Sequence, residues 1–349
     1  MPHKLRELGG VNMFQKARLN ANLVGCFCML VWFWAPSVGA EPAGAALLTC
    51  QERLQKEQFR QIVNSLATTE QFAKLEQLGQ ELLSDKTRFP DGQPKLEVFY
   101  EQASTSETSS NWPAALTRQN RWVSSYPRSA RAKIARAHFY VSYAWNARGS
   151  GYSNTVKEEG WKLFQERLAL AEHDLLQAQK DDPSDPYGYV ACITIAMANG
   201  WERAKVDALV AKAMAVFPNC DSAIGREAYY LTPRWQGERG DVERFADQWS
   251  AKNKAYYSIV WESVQGLSNI KDETHFSWPK LKASYEARLK DSTSEILKNR
   301  YARDASRFGD TETALRLVLE LKNKWDPNAW NNSKEQFNQL RQKAAQLSK

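Results

Sequence analysis

The chain has 349 residues, 43% of them hydrophobic and 25% charged, which is enough apolar content to bury a sizeable core, and a formal net charge of +7. Four of its basic side chains, Lys4, Arg6, Lys16 and Arg18, fall with Glu7 in the first forty residues, so residues 41–349 keep only about +4, with no dense Lys/Arg run. A charge so small and dispersed lacks the clustered basic face of a nucleic-acid binder, and no nucleic-acid partner is expected.

Lys16 and Arg18 precede an apolar run, LVGCFCMLVWFWAPSVGA, that ends in Val38-Gly39-Ala40 before Glu41-Pro42. A basic n-region, a short apolar core and a small-x-small exit are the parts of a secretory signal peptide, so residues 1–40 are expected to be removed after Ala40 and the rest to be periplasmic or secreted. Met13 is an alternative start that leaves MFQKARLN as the n-region. The other reading is an uncleaved anchor with Trp32 and Trp34 at the interface, the one route by which a membrane becomes a partner. A lipidated cysteine would follow the apolar run, whereas Cys26 stands ahead of most of it. Beyond the signal, Cys50, Cys192 and Cys220 are compatible with one disulfide and an odd thiol, or with three free thiols. Cys192 sits in YGYVACITIAMANGW and reads as a small buried hydrophobe.

From residue 41 onward apolar residues recur at helical spacing. In EEGWKLFQERLALAEHDLLQAQKDD, Trp161, Phe164, Leu168, Ala171 and Leu175 form one stripe at intervals of three or four. Convincing period-two runs are absent, so the predicted class is all-α. Residues 41–100 read as an N-terminal helical segment, and EQASTSETSSNWP, residues 101–113, as a flexible linker rich in Ser and Thr. Residues 114–270 then form a helical core and 271–349 a C-terminal helical repeat and cap.

Pro90, Pro127, Pro186, Pro218 and Pro327 fall between one amphipathic stretch and the next. Proline is suited to a helix entrance and excluded from its interior, so these mark joints. Two of the intervals, 37 and 32 residues, lie near the roughly 34-residue period of tetratricopeptide repeats. The best single unit is YARDASRFGDTETALRLVLELKNKWDP, in which small Ala302 and Ala314 flank a Gly309-Asp310 turn and Val318 and Leu321 continue the second helix. The expected architecture is one elongated, right-handed, tetratricopeptide-like array of antiparallel helix pairs, an α-solenoid.

Several of these blocks resemble a bacterial family of exported helical proteins, domain of unknown function 4034, over roughly residues 55–265. The motifs that carry the resemblance are AWNARG and LTPRWQG; at the second, the family has Pro-Lys/Arg-Trp-Gly-Gly-Ser where this chain has Gln236, Gly237 and Glu238. The resemblance implies a tetratricopeptide-like helical fold and supplies no activity.

Catalytic and metal-binding signatures are missing. His138, His173 and His275 are isolated, and there is no HExxH, CxxC, P-loop or GxSxG element, so no metal and no cofactor are expected. What stands out is eleven tryptophans beyond the signal, together with arginines. Trp145 and Arg148 lie at a predicted helix end in SYAWNARGSGY, where Arg148 opposes the helix dipole and Gly149 supplies a left-handed cap. Arg234 and Trp235 lie in YYLTPRWQGERGD, where Pro233 stops the helix, Gly237 and Gly240 allow tight bends and Asp241 caps the next helix. These four are the ligand-binding candidates, and Trp235 also reads as an apolar staple of its loop. The functional expectation is a non-catalytic, exported protein- or peptide-binding repeat protein of the cell envelope. Its rival is a carbohydrate-binding protein or hydrolase that uses aromatic and acidic residues on the concave face.

Cleavage after Ala40 predicts that N-terminal sequencing of the protein from a periplasmic fraction begins at Glu41; an intact N-terminus recovered from the cytosol would refute export.

Overall fold

The computed structural model describes residues 46–105, 111–149, 153–267 and 275–347. The predicted signal segment, with its cleavage site and Met13, and residues 106–110 of the predicted linker lie outside them. The described chain is all-helical. Its helices are α1 (Gln51–Thr68), α2 (Phe72–Asp85), α3 (Lys95–Thr105), α4 (Trp112–Ser125), α5 (Ala130–Arg148), α6 (Glu158–Asp181), α7 (Pro186–Asn199) and α8 (Arg203–Val216). They continue with α9 (Asp221–Tyr230), α10 (Asp241–Lys252), α11 (Tyr256–Val264), α12 (Trp278–Leu289), α13 (Glu295–Arg307), α14 (Thr311–Leu321) and α15 (Lys334–Leu347). Two two-residue strands, β1 (Leu48–Thr49) and β2 (Lys324–Trp325), pair in parallel. No described helix is long and apolar enough to cross a membrane.

The joints predicted from proline are where the helices break: Pro90, Pro127 and Pro218 lie between helices, Pro186 opens α7, and Pro327 follows β2. Side-chain caps start several of the described helices. The side chains of Ser129, Asp185, Ser294 and Asp310 accept bonds from the first-turn amides of α5, α7, α13 and α14, which would otherwise lack partners. Of the predicted α6 stripe, Phe164, Leu168, Ala171 and Leu175 are fully buried, and Trp161 is partly buried against the same cluster. Ala302 and Ala314 are inaccessible at the α13–α14 contact, where small side chains let the paired helices approach. The predicted linker is not one at its flanks: residues 101–105 finish α3 and Trp112–Pro113 begin α4. One apolar cluster runs from Val63 to Leu281, so the helices before and after the predicted linker share a core.

Alternate helices pack on one another. α1 packs on α3, α3 on α5, α5 on α7, α7 on α9 and α9 on α11, while α2, α4, α6, α8 and α10 lie against this series as second members of helix pairs. The series does not end free, as an elongated array would. α11 and α12 lead to α13, and α13 packs on α1. The circuit is therefore closed, and the reason lies in side chains far apart in the chain. Arg53 of α1 makes a bidentate pair with Asp326, 273 positions away, at 2.8 and 3.0 Å, and both groups are buried. Glu52 accepts from Ser294 Oγ at 2.7 Å and from the Ile296 amide at 3.1 Å. Beside these, Leu48 and Cys50 donate their amides to the carbonyls of Asn323 and Trp325, which is the β1–β2 pairing. Strands this short carry no periodic signal.

Cys50, Cys192 and Cys220 are free and buried, and burial pushes each thiol up to about 12, so all three behave as small apolar side chains.

Removing one partner of a buried ion pair leaves a charge stripped of water, so Asp326→Ala should lower unfolding stability by about 3–5 kcal/mol. Arg53→Met with Asp326→Leu should recover most of that loss, as read by denaturant titration; equal losses in the single and double variants would show that the pair does not hold the closure.

Candidate functional site

A cavity of about 310 Å³ lies inside the helix circuit. Its wall comes from elements on opposite sides: the turn between α2 and α3, α3 itself, α9, α11, α12 and α13. The α2–α3 turn is drawn into the interior by its own side chains. Arg88 bonds the Gly92 carbonyl at 2.7 Å, then crosses to Asp221 at 3.1 Å and the Asn219 carbonyl at 2.6 Å. Asp91 is buried and meets Lys56 at 2.5 Å and Arg300 at 3.5 Å. Ser292 donates to the Pro90 carbonyl at 2.8 Å.

The charges of the wall form a chain. Arg300 binds Glu262 at 3.0 Å, and Arg288 binds the same carboxylate at 2.6 Å. Burial alone would raise Asp91 and Glu262, because desolvation penalises the charged form, but the cations reverse this. Arg300 and Lys56 hold Asp91 down to about 2, and Arg288 and Arg300 hold Glu262 below the usual carboxylate range. Two other carboxyls go the opposite way. Desolvation raises Asp221 to about 6 despite Arg88 and Arg288, with the Glu97 charge adding to the rise. Desolvation and then Glu97 raise Glu101 to about 7. His138 of α5 stacks on Tyr100 at 5.9 Å, and burial with the Arg226 charge pushes it down to about 4. It is a neutral packing histidine. Among the described residues no group of three or more His, Cys, Asp or Glu side chains is placed to hold a metal ion.

Three of the four residues singled out from the sequence come together beside this cavity. Trp145 and Trp235 meet edge to face at 5.8 Å, and the Arg148 guanidinium lies 5.4 Å from the Trp145 ring and 5.1 Å from the Trp161 ring. Desolvation there lowers the Arg148 pKa. Tyr229 joins the two regions, since it lines the cavity and its ring lies 6.3 Å from that of Trp235. Arg234 is half-buried in the same loop, next to Trp235.

The loop is built as a staple. Trp235 and Gly237 donate their amides to the Thr232 carbonyl, and Gln236 to that of Tyr230. At Gly237 a Cβ would stand 1.8 Å from the Leu231 carbonyl oxygen, so only glycine lets the chain fold back this closely. Asp241 does not cap α10 as expected. Gly240 is the cap, and Asp241 is the first helical residue, its carboxylate accepting the Glu238 amide at 2.7 Å and thereby tying the loop to the helix start. Gly149 ends α5 with φ 76° and ψ −179°, a positive φ as expected but with an extended ψ rather than the left-handed helical one.

The cavity's charged residues were not found from the sequence. Asp91 and Glu262 stand more than 170 positions apart, and the visible signal is only a carboxylate at an otherwise apolar helix position, as Glu262 is in AYYSIVWESV. The chain matches no family model, no curated protein and no solved structure.

Trp235 is partly buried against the core, so Trp235→Ala should cost about 3 kcal/mol, the lower end for a packed tryptophan. Arg148→Ala, which loses two cation–π contacts, should cost about 1 kcal/mol. Thermal melts of the two variants read the order, and a wild-type melting curve for Trp235→Ala would contradict the staple.

Proposed function

We propose that this is an exported protein of the bacterial cell envelope, akin to the domain of unknown function 4034 family, and that its helix pairs form a tetratricopeptide-like array closed at its ends. Its work in this reading is to hold a protein or peptide partner without catalysing a reaction on it. The observation that carries the proposal is the interior cavity of about 310 Å³, lined by charged side chains and continued through Tyr229 to Trp235 and Trp145. A volume at the low end of ligand sites takes a chain end or one or two side chains, not a folded surface, so the partner enters as an extended segment. Asp91 and Glu262 are each engaged by two cations, which fits a wall held rigid better than a wall that exchanges protons.

One observation favours the second reading, a carbohydrate-binding protein or hydrolase. Asp221 and Glu97 both line the cavity, desolvation with the Glu97 charge raises Asp221 to about 6, and paired carboxyls with a raised member are a pattern of acid–base chemistry.

Ser222 lines the cavity on α9, so Ser222→Phe fills it without removing a charge. Screening a library of short peptides against the wild type and Ser222→Phe should find ligands that the variant binds at least tenfold more weakly, a loss of about 1.4 kcal/mol, while its melting temperature is kept. Undiminished peptide binding by the filled variant would remove the cavity from the mechanism. Glycan cleavage by the wild type that disappears in Asp221→Asn would replace binding with hydrolysis.

A further inference from the structure

The two signs of charge in the cavity are placed differently with respect to their partners. Glu97 of α3 has one hydrogen-bond partner, the Gln93 side-chain amide at 3.2 Å. Asp221, at the start of α9, has one ion-pair partner, Arg88 at 3.1 Å, on one of its two oxygens. An ionised carboxylate accepts about four bonds, so both keep capacity toward the cavity they line, and the two repel one another. Arg288 directs Nη1 to Ser258 and Glu262, whereas its Nη2 reaches only the Asp91 carbonyl at 3.4 Å. Arg226, a turn along α9 from Asp221, lines the cavity as well.

These groups discriminate among ligands by charge. An anion alone would meet Asp91, Glu97, Asp221 and Glu262, and a cation alone would meet Arg226, Arg288 and Arg300. A neutral ligand would strip water from both sets and return only weak bonds, which costs free energy because charged groups must be re-paired when desolvated. A ligand that carries both signs at its two ends satisfies both sets.

We propose that the cavity binds a small zwitterion of dipeptide size, its ammonium held between Glu97 and Asp221 and its carboxylate held by Arg226 and Arg288. This rests on the reading of the cavity as the binding site and names the ligand's chemistry. The volume of about 310 Å³ supports one or two residues and not more. The Trp145–Trp235 pair, reached through Tyr229, lies where an apolar side chain of such a ligand, or the continuation of a longer peptide, would leave the charged region.

Calorimetric titration with alanyl-alanine, its N-acetylated form and its C-terminal amide tests the assignment. The free dipeptide should bind, and each blocked form should bind at least tenfold more weakly. Glu97→Gln should lose the discrimination against the acetylated form while retaining that against the amide and an unchanged melting temperature. Equal binding of free and blocked dipeptides overturns the proposal, as does failure of all three to bind. If all three fail while longer peptides bind the wild type and not Ser222→Phe, the zwitterion assignment falls and the cavity stands. If peptides bind Ser222→Phe as well as the wild type, the cavity reading falls with it.

Discussion

The buried pair of Arg53 and Asp326 joins the first helix to the segment after the second-last helix, and the interior cavity depends on that junction. Together with the Glu52 bonds to Ser294 and Ile296 it fixes α1 against α13, and Lys56, one turn further along the same helix than Arg53, pairs with Asp91. Burying such charges gains little net stability over an apolar contact of the same size, because desolvation offsets most of the attraction. What the pairs contribute is direction. Arg53, Lys56 and Arg300 can be satisfied only when α1, the α2–α3 turn and α13 take one mutual arrangement, whereas apolar faces tolerate sliding.

The same constraint organises the chemistry of the interior. Asp91 and Glu262 lie where cations from α1, α12 and α13 converge, so they stay ionised although buried. Asp221 lines the same cavity with weaker compensation, and desolvation raises it to about 6. Glu52 shows the cost of the arrangement: one of its oxygens is buried without a hydrogen-bond partner, and desolvation raises its pKa. The cavity is therefore lined by fixed charges of both signs brought from six elements of the chain.

The loop at Trp235 relates the outer layer to this interior. Its backbone bonds to Tyr230 and Thr232 close a tight turn, and the absence of a Cβ at Gly237 lets it lie against Leu231. The turn places the indole against Trp145, and Tyr229, immediately upstream, contributes its ring to both the aromatic cluster and the cavity wall. Loop and cavity are thus neighbours on one helix end: Trp235 packs in the loop, and Tyr229 reaches from beside its ring into the cavity wall.

The sequence by itself determined the local elements. Helical periodicity and the proline joints are properties of neighbouring residues, and they locate the α6 stripe, the α13–α14 turn and the pairing of small residues at Ala302 and Ala314 correctly. It also brought out Trp145, Arg148 and Trp235, because aromatic residues and arginine beside turn residues are visible within a short window. Closure was decided only in three dimensions. Two-residue strands have no period to read, and Arg53 and Asp326, like Asp91 and Glu262, are ordinary surface-type residues until distant helices remove water from around them. A charge becomes a structural determinant through its partner and its burial, and both are set by packing between segments hundreds of residues apart, not by the residues beside it in the chain.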